Sequence, residues 1–101
     1  MKIVINKCYG GFGISDEQGF AMGLVPQPSY HEGELYWDCW SDEHKWMRTD
    51  PILIASVEAG DRGGRYSNLV VVEIPDKVHW QINEYDGYES VIWSESEIHW
   101  A

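Results

Sequence analysis

The side chains that could act as a nucleophile or bind a metal ion are two cysteines and four histidines, spread over 101 residues. Cysteine catalysis needs a neighbouring base to generate the thiolate. Cys8 follows an apolar run with no histidine close to it in the sequence, which is typical of an inert thiol at the end of a buried strand. A base would have to come from His31, His44, His79 or His99 through the fold. We therefore expect no catalytic residues and no enzyme activity.

A metal site would have to combine His31, Cys39 and His44, with Cys8 as a second thiolate. Structural zinc sites usually show ligands paired at short, regular spacing, and these spacings are irregular. We therefore expect no metal and no cofactor. Two cysteines also make no disulfide framework, and a single Cys8–Cys39 disulfide is the alternative to two free thiols. Since the sequence shows no signal peptide, we expect a reducing compartment, the cytoplasm.

A glycine-rich turn between a predicted strand and a predicted helix could bind an anion through its amides. The spacing lacks the third glycine of the dinucleotide motif and the lysine of the phosphate loop. Asp16 and Glu17 at the helix start would also repel a phosphate. We interpret the turn as a tight connection, with a small nucleotide- or anion-binding protein as the alternative. That site would consist of Gly10, Gly11, Gly13, Lys7 and Arg65.

Aromatic and acidic side chains alternate through residues 29–48. We predict an edge strand near Glu34–Trp40, within an acidic hairpin or meander. The functional interpretation is a recognition surface with aromatic anchors and an acidic rim; the alternative is ordinary packing of one aromatic face on the core. The predicted contact residues are Tyr36, Trp37, Asp38, Trp40, Asp42, Glu43 and Trp46.

The charge balance restricts the class of partner. Seventeen Asp and Glu against seven Lys and Arg give a formal net charge of −10. Binding to a nucleic-acid backbone or to an anionic membrane needs clustered positive charge, so neither is expected. A basic protein surface or a cation is favoured instead. The alternative is that the charge only keeps an aromatic-rich protein in solution.

Two apolar runs predict strands that are covered on both faces, Lys2 to Tyr9 and Asn68 to Ile74. We place these two at the centre of the sheet. Ser15 and Gln18 fit a capping box at the start of a first helix. Asp50 as N-cap, Pro51 at the first position and Gly60 after the end delimit a second helix.

The segments Val78 to Glu84 and Tyr88 to Trp93 predict a hairpin around Asp86-Gly87, a pair favoured in type I′ turns. Pairing Tyr85 with Tyr88 places Ile82 opposite Val91 and Trp80 opposite Trp93, on one apolar face. The same register sets Glu84 opposite Glu89, a repulsive pair. We expect either splaying into water or a cation that relieves the repulsion.

These elements predict one α+β domain over residues 1–101. We expect a mixed or antiparallel sheet of four to five strands, two short helices on one face and a C-terminal β-hairpin. Residues 29–48 would be an insertion-like segment, and residues 94–101 a polar tail.

Three blocks of the chain resemble a family of small, mostly uncharacterised proteins of tailed bacteriophages and prophages. They are KIVINKCYGGFGIS, DPILIASVEAGDRGGRYSNLVVVEIP and WQINEYDGYE, and Trp100 fits as well. The resemblance implies a phage accessory protein without a known activity. With the charge and the aromatics, it leads us to expect non-catalytic binding to a host or defence protein, as a nucleic-acid mimic or an inhibitor. A virion or assembly component, as a homo-oligomer, is the further alternative.

Overall fold

The computed structural model describes residues 1–28, 35–39 and 42–95, except for the side chains of Pro28, Asp42, Glu43 and Lys45. Its elements in chain order are β1 (Lys2–Asn6), α1 (Asp16–Ala21), β2 (Gln27–Pro28), β3 (Leu35–Tyr36), a 3-10 helix (Asp42–Thr49), α2 (Pro51–Glu58), β4 (Leu69–Glu73), β5 (His79–Tyr85) and β6 (Tyr88–Ser94). The described strands form three antiparallel pairs, β1–β4, β2–β3 and β5–β6. The α+β class and the C-terminal hairpin are confirmed.

The β1–β4 pair lies at the centre of the molecule, and its β-branched side chains are covered on both faces. On one face Val4 packs with Leu53 of α2, in a cluster that also contains residues of the 3-10 helix. On the other face Ile3 and Ile5 pack against half-buried side chains of the β5–β6 hairpin. Each side chain in this run is at most 1% exposed, as the unbroken apolar pattern predicts.

The hairpin has the predicted register. Tyr85 pairs with Tyr88, and the pairing continues without a slip to His79 and Ser94. Asp86 and Gly87 both have positive φ, 52° and 91°, which a type I′ turn requires. The turn and the apolar alternation agree because a slip of one residue would turn every inward side chain outward.

Both helices begin where their capping residues predict. The Ser15 side chain accepts from the Gln18 amide, and Gln18 accepts from the Ser15 amide, so the capping box is complete. Asp50 accepts from the amides of the residues two and three positions on, at the start of α2. Gly60 follows the helix with φ 111°, a left-handed conformation that glycine adopts without strain.

Two expectations about the arrangement are wrong. The described strands pair two by two and do not form one sheet of four or five, because the hairpin packs on the face of β1–β4. The predicted strand near Glu34–Trp40 is reduced to β3, which pairs with β2. A 3-10 helix, which the sequence did not predict, follows β3. Trp40 and the tail from residue 96 onward lie outside the described residues.

Candidate binding surface

The glycine-rich turn is packed against the chain around residues 64–67 and against the hairpin turn. A Cβ at Gly10 would lie 1.7 Å from the carbonyl oxygen of Tyr66. Ser67 donates its hydroxyl hydrogen to the Gly11 carbonyl at 2.8 Å, and the Gly64 amide donates to the Gly13 carbonyl at 3.0 Å. The glycines are therefore explained by close backbone contact within the protein.

The two cations of the predicted anion site are directed to tyrosine rings. The Lys7 Nζ lies 5.2 Å from the ring centre of Tyr88, and the Arg65 guanidinium lies 5.8 Å from that of Tyr66. Tyr9 stands 5.5 Å from Tyr88, centre to centre. Lys7 and Arg65 thus make contacts with tyrosine rings. The geometry of the turn gives no support to a phosphate site in place of these contacts.

Trp37 is the organising residue of the aromatic segment, and it is buried. Its ring is only 8% exposed and lies on α1, where a Cβ at Gly19 would come within 2.5 Å of it. The indole Nε1 donates to the Asp16 carboxylate at 2.7 Å, and Phe20 packs edge-on at 5.1 Å. The expectation that Trp37 contacts a partner as an exposed anchor is corrected: this side chain joins β3 to α1.

Two grooves flank Trp37. The first, of about 330 Å³, is bounded by the start of α1, Leu35 and the loop at Gly63–Arg65. The second, of about 260 Å³, is bounded by Leu24, Asp38 and His44. Leu35, at the first groove, is 41% exposed, and Val25, at the second, is 87% exposed. Phe20, which packs on Trp37, is 58% exposed. We call the two grooves with these three exposed apolar side chains the Trp37 surface.

Carboxylates lie along the rim of the Trp37 surface. Asp16 and Glu17 are exposed at the first turn of α1. Asp38 lies 3.7 Å from the Nδ1 of His44, across the second groove. An apolar centre with a charged rim is the usual anatomy of a protein-binding surface.

The other predicted contact residues fall in three groups. Trp46, in the 3-10 helix, is 43% exposed, as a surface anchor requires. Asp42 and Glu43 begin that helix, but their side chains are not among those described. Trp40 is outside the described part of the chain. Of the predicted set, Trp37 and Asp38 line the grooves of the Trp37 surface, whereas Tyr36, which is 44% exposed, lines neither groove.

The cysteines are both free thiols, so no Cys8–Cys39 bridge is formed. The Cys8 Sγ donates to the carbonyl oxygen of Tyr66 at 3.0 Å. Burial raises the pKa of the Cys39 thiol to about 11, although an amide hydrogen bond from Ile14 opposes the shift. Among residues 1–28, 35–39 and 42–95, no group of three His, Cys, Asp or Glu side chains could hold a metal ion.

A buried polar network, which the sequence did not predict, lies on the outer edge of β1. Arg48 donates two hydrogen bonds to the Glu89 carboxylate, each of 2.7 Å, and Glu89 is 2% exposed. Glu89 also accepts from the Asn6 amide, while Arg48 donates to the Val4 carbonyl. The ion pair therefore occupies two of the backbone groups on the outer edge of β1, the Val4 carbonyl and the Asn6 amide, which a neighbouring strand would otherwise pair.

A signal for this network was present in the hairpin register. Glu89 shares a face with Val91, so it had to point inward, and Arg48 is the cation that relieves its repulsion by Glu84. Glu84 accepts from the Gly87 amide at the turn instead.

Comparisons with known proteins add no relative: no protein family, curated protein or solved structure matches this chain. No helix in the part of the chain that the structure describes has the length and hydrophobicity needed to cross a bilayer. The geometry of the Trp37 surface is thus the main guide to function.

Proposed function

We propose that this protein is a small phage accessory protein that acts without catalysis, by binding a basic segment of a host or defence protein on the Trp37 surface. The observation that carries the proposal is the pair of grooves beside Trp37, each with an exposed apolar side chain, Leu35 or Val25, and a carboxylate, Asp16 or Asp38, in its lining. Apolar side chains exposed together in this way commonly mark a protein-binding site.

The charge of the neighbouring sequence selects the partner. Residues 32–43 contain five acidic residues and no Lys or Arg, and they surround β3 in the sequence. A cationic segment would gain attraction from these charges, while its apolar side chains occupy the grooves. A nuclease or another DNA-binding protein offers such a basic surface, so nucleic-acid mimicry is the form of inhibition that we favour.

The phage origin rests on the resemblance of the opening block and of the two later blocks. It supports action in the host cytoplasm, where a newly made accessory protein meets its target. The buried Trp37 supports rigid presentation, since Asp16 and Phe20 hold the ring in place. A pre-organised surface binds with less loss of conformational entropy than a disordered one.

A matched pair of substitutions tests this surface. Leu35 is 41% exposed beside the first groove, and Ile92 is 40% exposed on the outer face of the hairpin. Tagged wild type, Leu35→Lys and Ile92→Lys would be used to capture proteins from a bacterial host lysate at about 0.15 M salt. A captured partner would be identified by mass spectrometry, purified and titrated by calorimetry.

We expect wild type and Ile92→Lys to retain one stoichiometric partner, and Leu35→Lys to bind it at least about tenfold more weakly, because a like charge is placed against a basic segment. Circular dichroism would check that all three proteins are folded. Failure to recover a stoichiometric partner, or equal binding by the two lysine variants, would exclude the Trp37 surface as the site.

A further inference from the structure

The two edges of the β1–β4 pair differ. The edge of β1 is closed by Arg48 and Glu89, which pair with the Val4 carbonyl and the Asn6 amide. Beside the edge of β4 lies an open groove of about 670 Å³, bounded on its far side by the end of α2. An unpaired strand edge is a template for another strand.

The register shows which backbone groups of β4 face this groove. The Ile74 amide donates to the Met1 carbonyl, and the Lys7 amide donates to the Asn68 carbonyl. Hydrogen-bonded pairs alternate along an antiparallel ladder, so the even-numbered residues of β4 bond to β1 and the odd-numbered ones point outward. The outward Leu69 amide is already bonded to the Arg62 carbonyl. Among the described residues, the outward groups left open are the Leu69 C=O and the N–H and C=O of Val71 and of Glu73. We call the last four groups the β4 edge.

We propose that the β4 edge joins two copies of this chain, as an antiparallel pair with its two-fold axis at Val72. In that register Val71 of each copy faces Glu73 of the other, and the four outward groups of each edge form four hydrogen bonds. The pairing is limited to these residues by the positions that follow them. Leu69 would face Pro75 of the second copy, and neither has an N–H to offer, since one is bonded to Arg62 and the other is proline.

The charges along the groove favour a second copy over a charged foreign strand. Lys2 and Arg62 balance Glu58 and Glu73, so this side carries no net charge in a protein of −10. The antiparallel register also places Glu73 of the second copy opposite Val71. Val71 lies two residues, or about 7 Å, along the strand from Leu69, whose amide donates to the Arg62 carbonyl. Arg62 can reach a carboxylate at that distance.

Proline substitution tests the hydrogen bonds of the β4 edge. Glu73→Pro removes an outward N–H that the monomer does not use, and proline is tolerated at such edge positions. Glu73→Gln keeps the N–H and removes the charge, so it is the control. Sedimentation analysis at about 0.05 and 0.5 M NaCl would give the dimer constant. We expect a wild-type dimer that salt strengthens, because two acidic copies repel, and a loss of at least about tenfold for Glu73→Pro against less than about threefold for Glu73→Gln.

Cross-linking tests the register. In a background with Cys8→Ser and Cys39→Ala, Val72→Cys would place two thiols in a non-hydrogen-bonded pair about 4.5 Å apart at Cα, within disulfide range. Val70→Cys is the control, because its two copies would be about 14 Å apart. Rapid oxidation to a dimer for Val72→Cys alone supports the proposal.

Three results would overturn it. A wild-type protein that stays monomeric at millimolar concentration and at high salt would leave the edge to a strand of another protein. A dimer that is insensitive to Glu73→Pro would use a different face. Equal cross-linking by the two cysteine variants would refute the register. None of these results depends on the Trp37 surface, so the two proposals can fail separately.

Discussion

Replacing Arg48 by methionine should destabilise this protein more than any change to a surface ion pair. Glu89 would keep its Asn6 hydrogen bond but lose both bonds to the guanidinium, and it is 2% exposed. The same substitution removes the hydrogen bond from Arg48 to the Val4 carbonyl. It also removes the contact of the guanidinium with the Phe12 ring, whose centre lies 4.1 Å away.

The magnitude follows from the burial of the carboxylate that is left behind. Breaking a buried ion pair by removing one partner costs about 3–5 kcal/mol, mostly because the other charge stays desolvated. A domain of this size has a total stability of about 5–15 kcal/mol. With a urea m-value of about 1.5 kcal/mol/M, the unfolding midpoint should fall by about 2–3 M.

Urea unfolding followed by tryptophan fluorescence and circular dichroism would measure the effect. The double variant Arg48→Met/Glu89→Gln removes both charges and keeps an oxygen for the Asn6 amide, so we expect it to be about 2 kcal/mol more stable than Arg48→Met alone. Lys2→Met is the control, since Lys2 and Glu58 form an exposed pair at 2.9 Å. Its midpoint should hardly move.

Two outcomes would refute this reasoning. If Arg48→Met lowered the stability by less than about 1 kcal/mol, Glu89 would have to be hydrated or turned outward. If the double variant lost the sum of the two single effects, the residues would not be coupled, and the closure of the β1 edge by an ion pair would be wrong.

Two further predictions concern the segment around Trp37. Gly19→Ala should lower the free energy of unfolding by about 1–3 kcal/mol, measured by thermal unfolding, because the new methyl group would lie 2.5 Å from the Trp37 ring. This cost outweighs the gain of about 1 kcal/mol that alanine brings to a helix. A stabilised variant would contradict this packing. Cys39 should resist iodoacetamide at pH 8 in a mass-spectrometric assay, since its pKa of about 11 keeps the thiol protonated. The stability that the neutral thiol contributes should be lost as the pH rises from about 9 to 11, and alkylation at pH 8 as fast as in urea would show that the thiol is exposed.

The parts of the fold that could be predicted are those fixed by local rules. The hairpin register follows from two residues, Asp86 and Gly87, because the turn they form allows one pairing and the apolar alternation supports the same one. The helix starts follow from Ser15 and Asp50, whose side chains accept from amides within the same turn. The centre of the sheet follows from unbroken β-branched runs.

The parts that could not be predicted depend on contacts between distant segments. The alternation of Leu35, Trp37 and Cys39 suits a strand, but only two residues find a partner strand, and Trp37 turns onto α1 because Gly19 leaves room for its ring. The partner of Glu89 is 41 residues away in the chain, in a 3-10 helix that no periodicity indicated. The register predicted only that Glu84 and Glu89 either splay into water or are relieved by a cation, and the fold identifies that cation as Arg48.

The position of the acidic charge matters more for binding than its total. In the described residues, Glu58, Asp76 and Glu89 each pair with an ammonium or guanidinium group, and Asp38 lies 3.7 Å from His44. Residues 32–43 contain five acidic residues and no Lys or Arg, in a chain with a formal net charge of −10. In the sequence these residues include β3 and flank it, and Leu35 of β3 lines the first groove of the Trp37 surface. If a basic partner binds the Trp37 surface as we propose, raising the salt concentration should slow its association more than its dissociation, because screening weakens the long-range attraction by these charges.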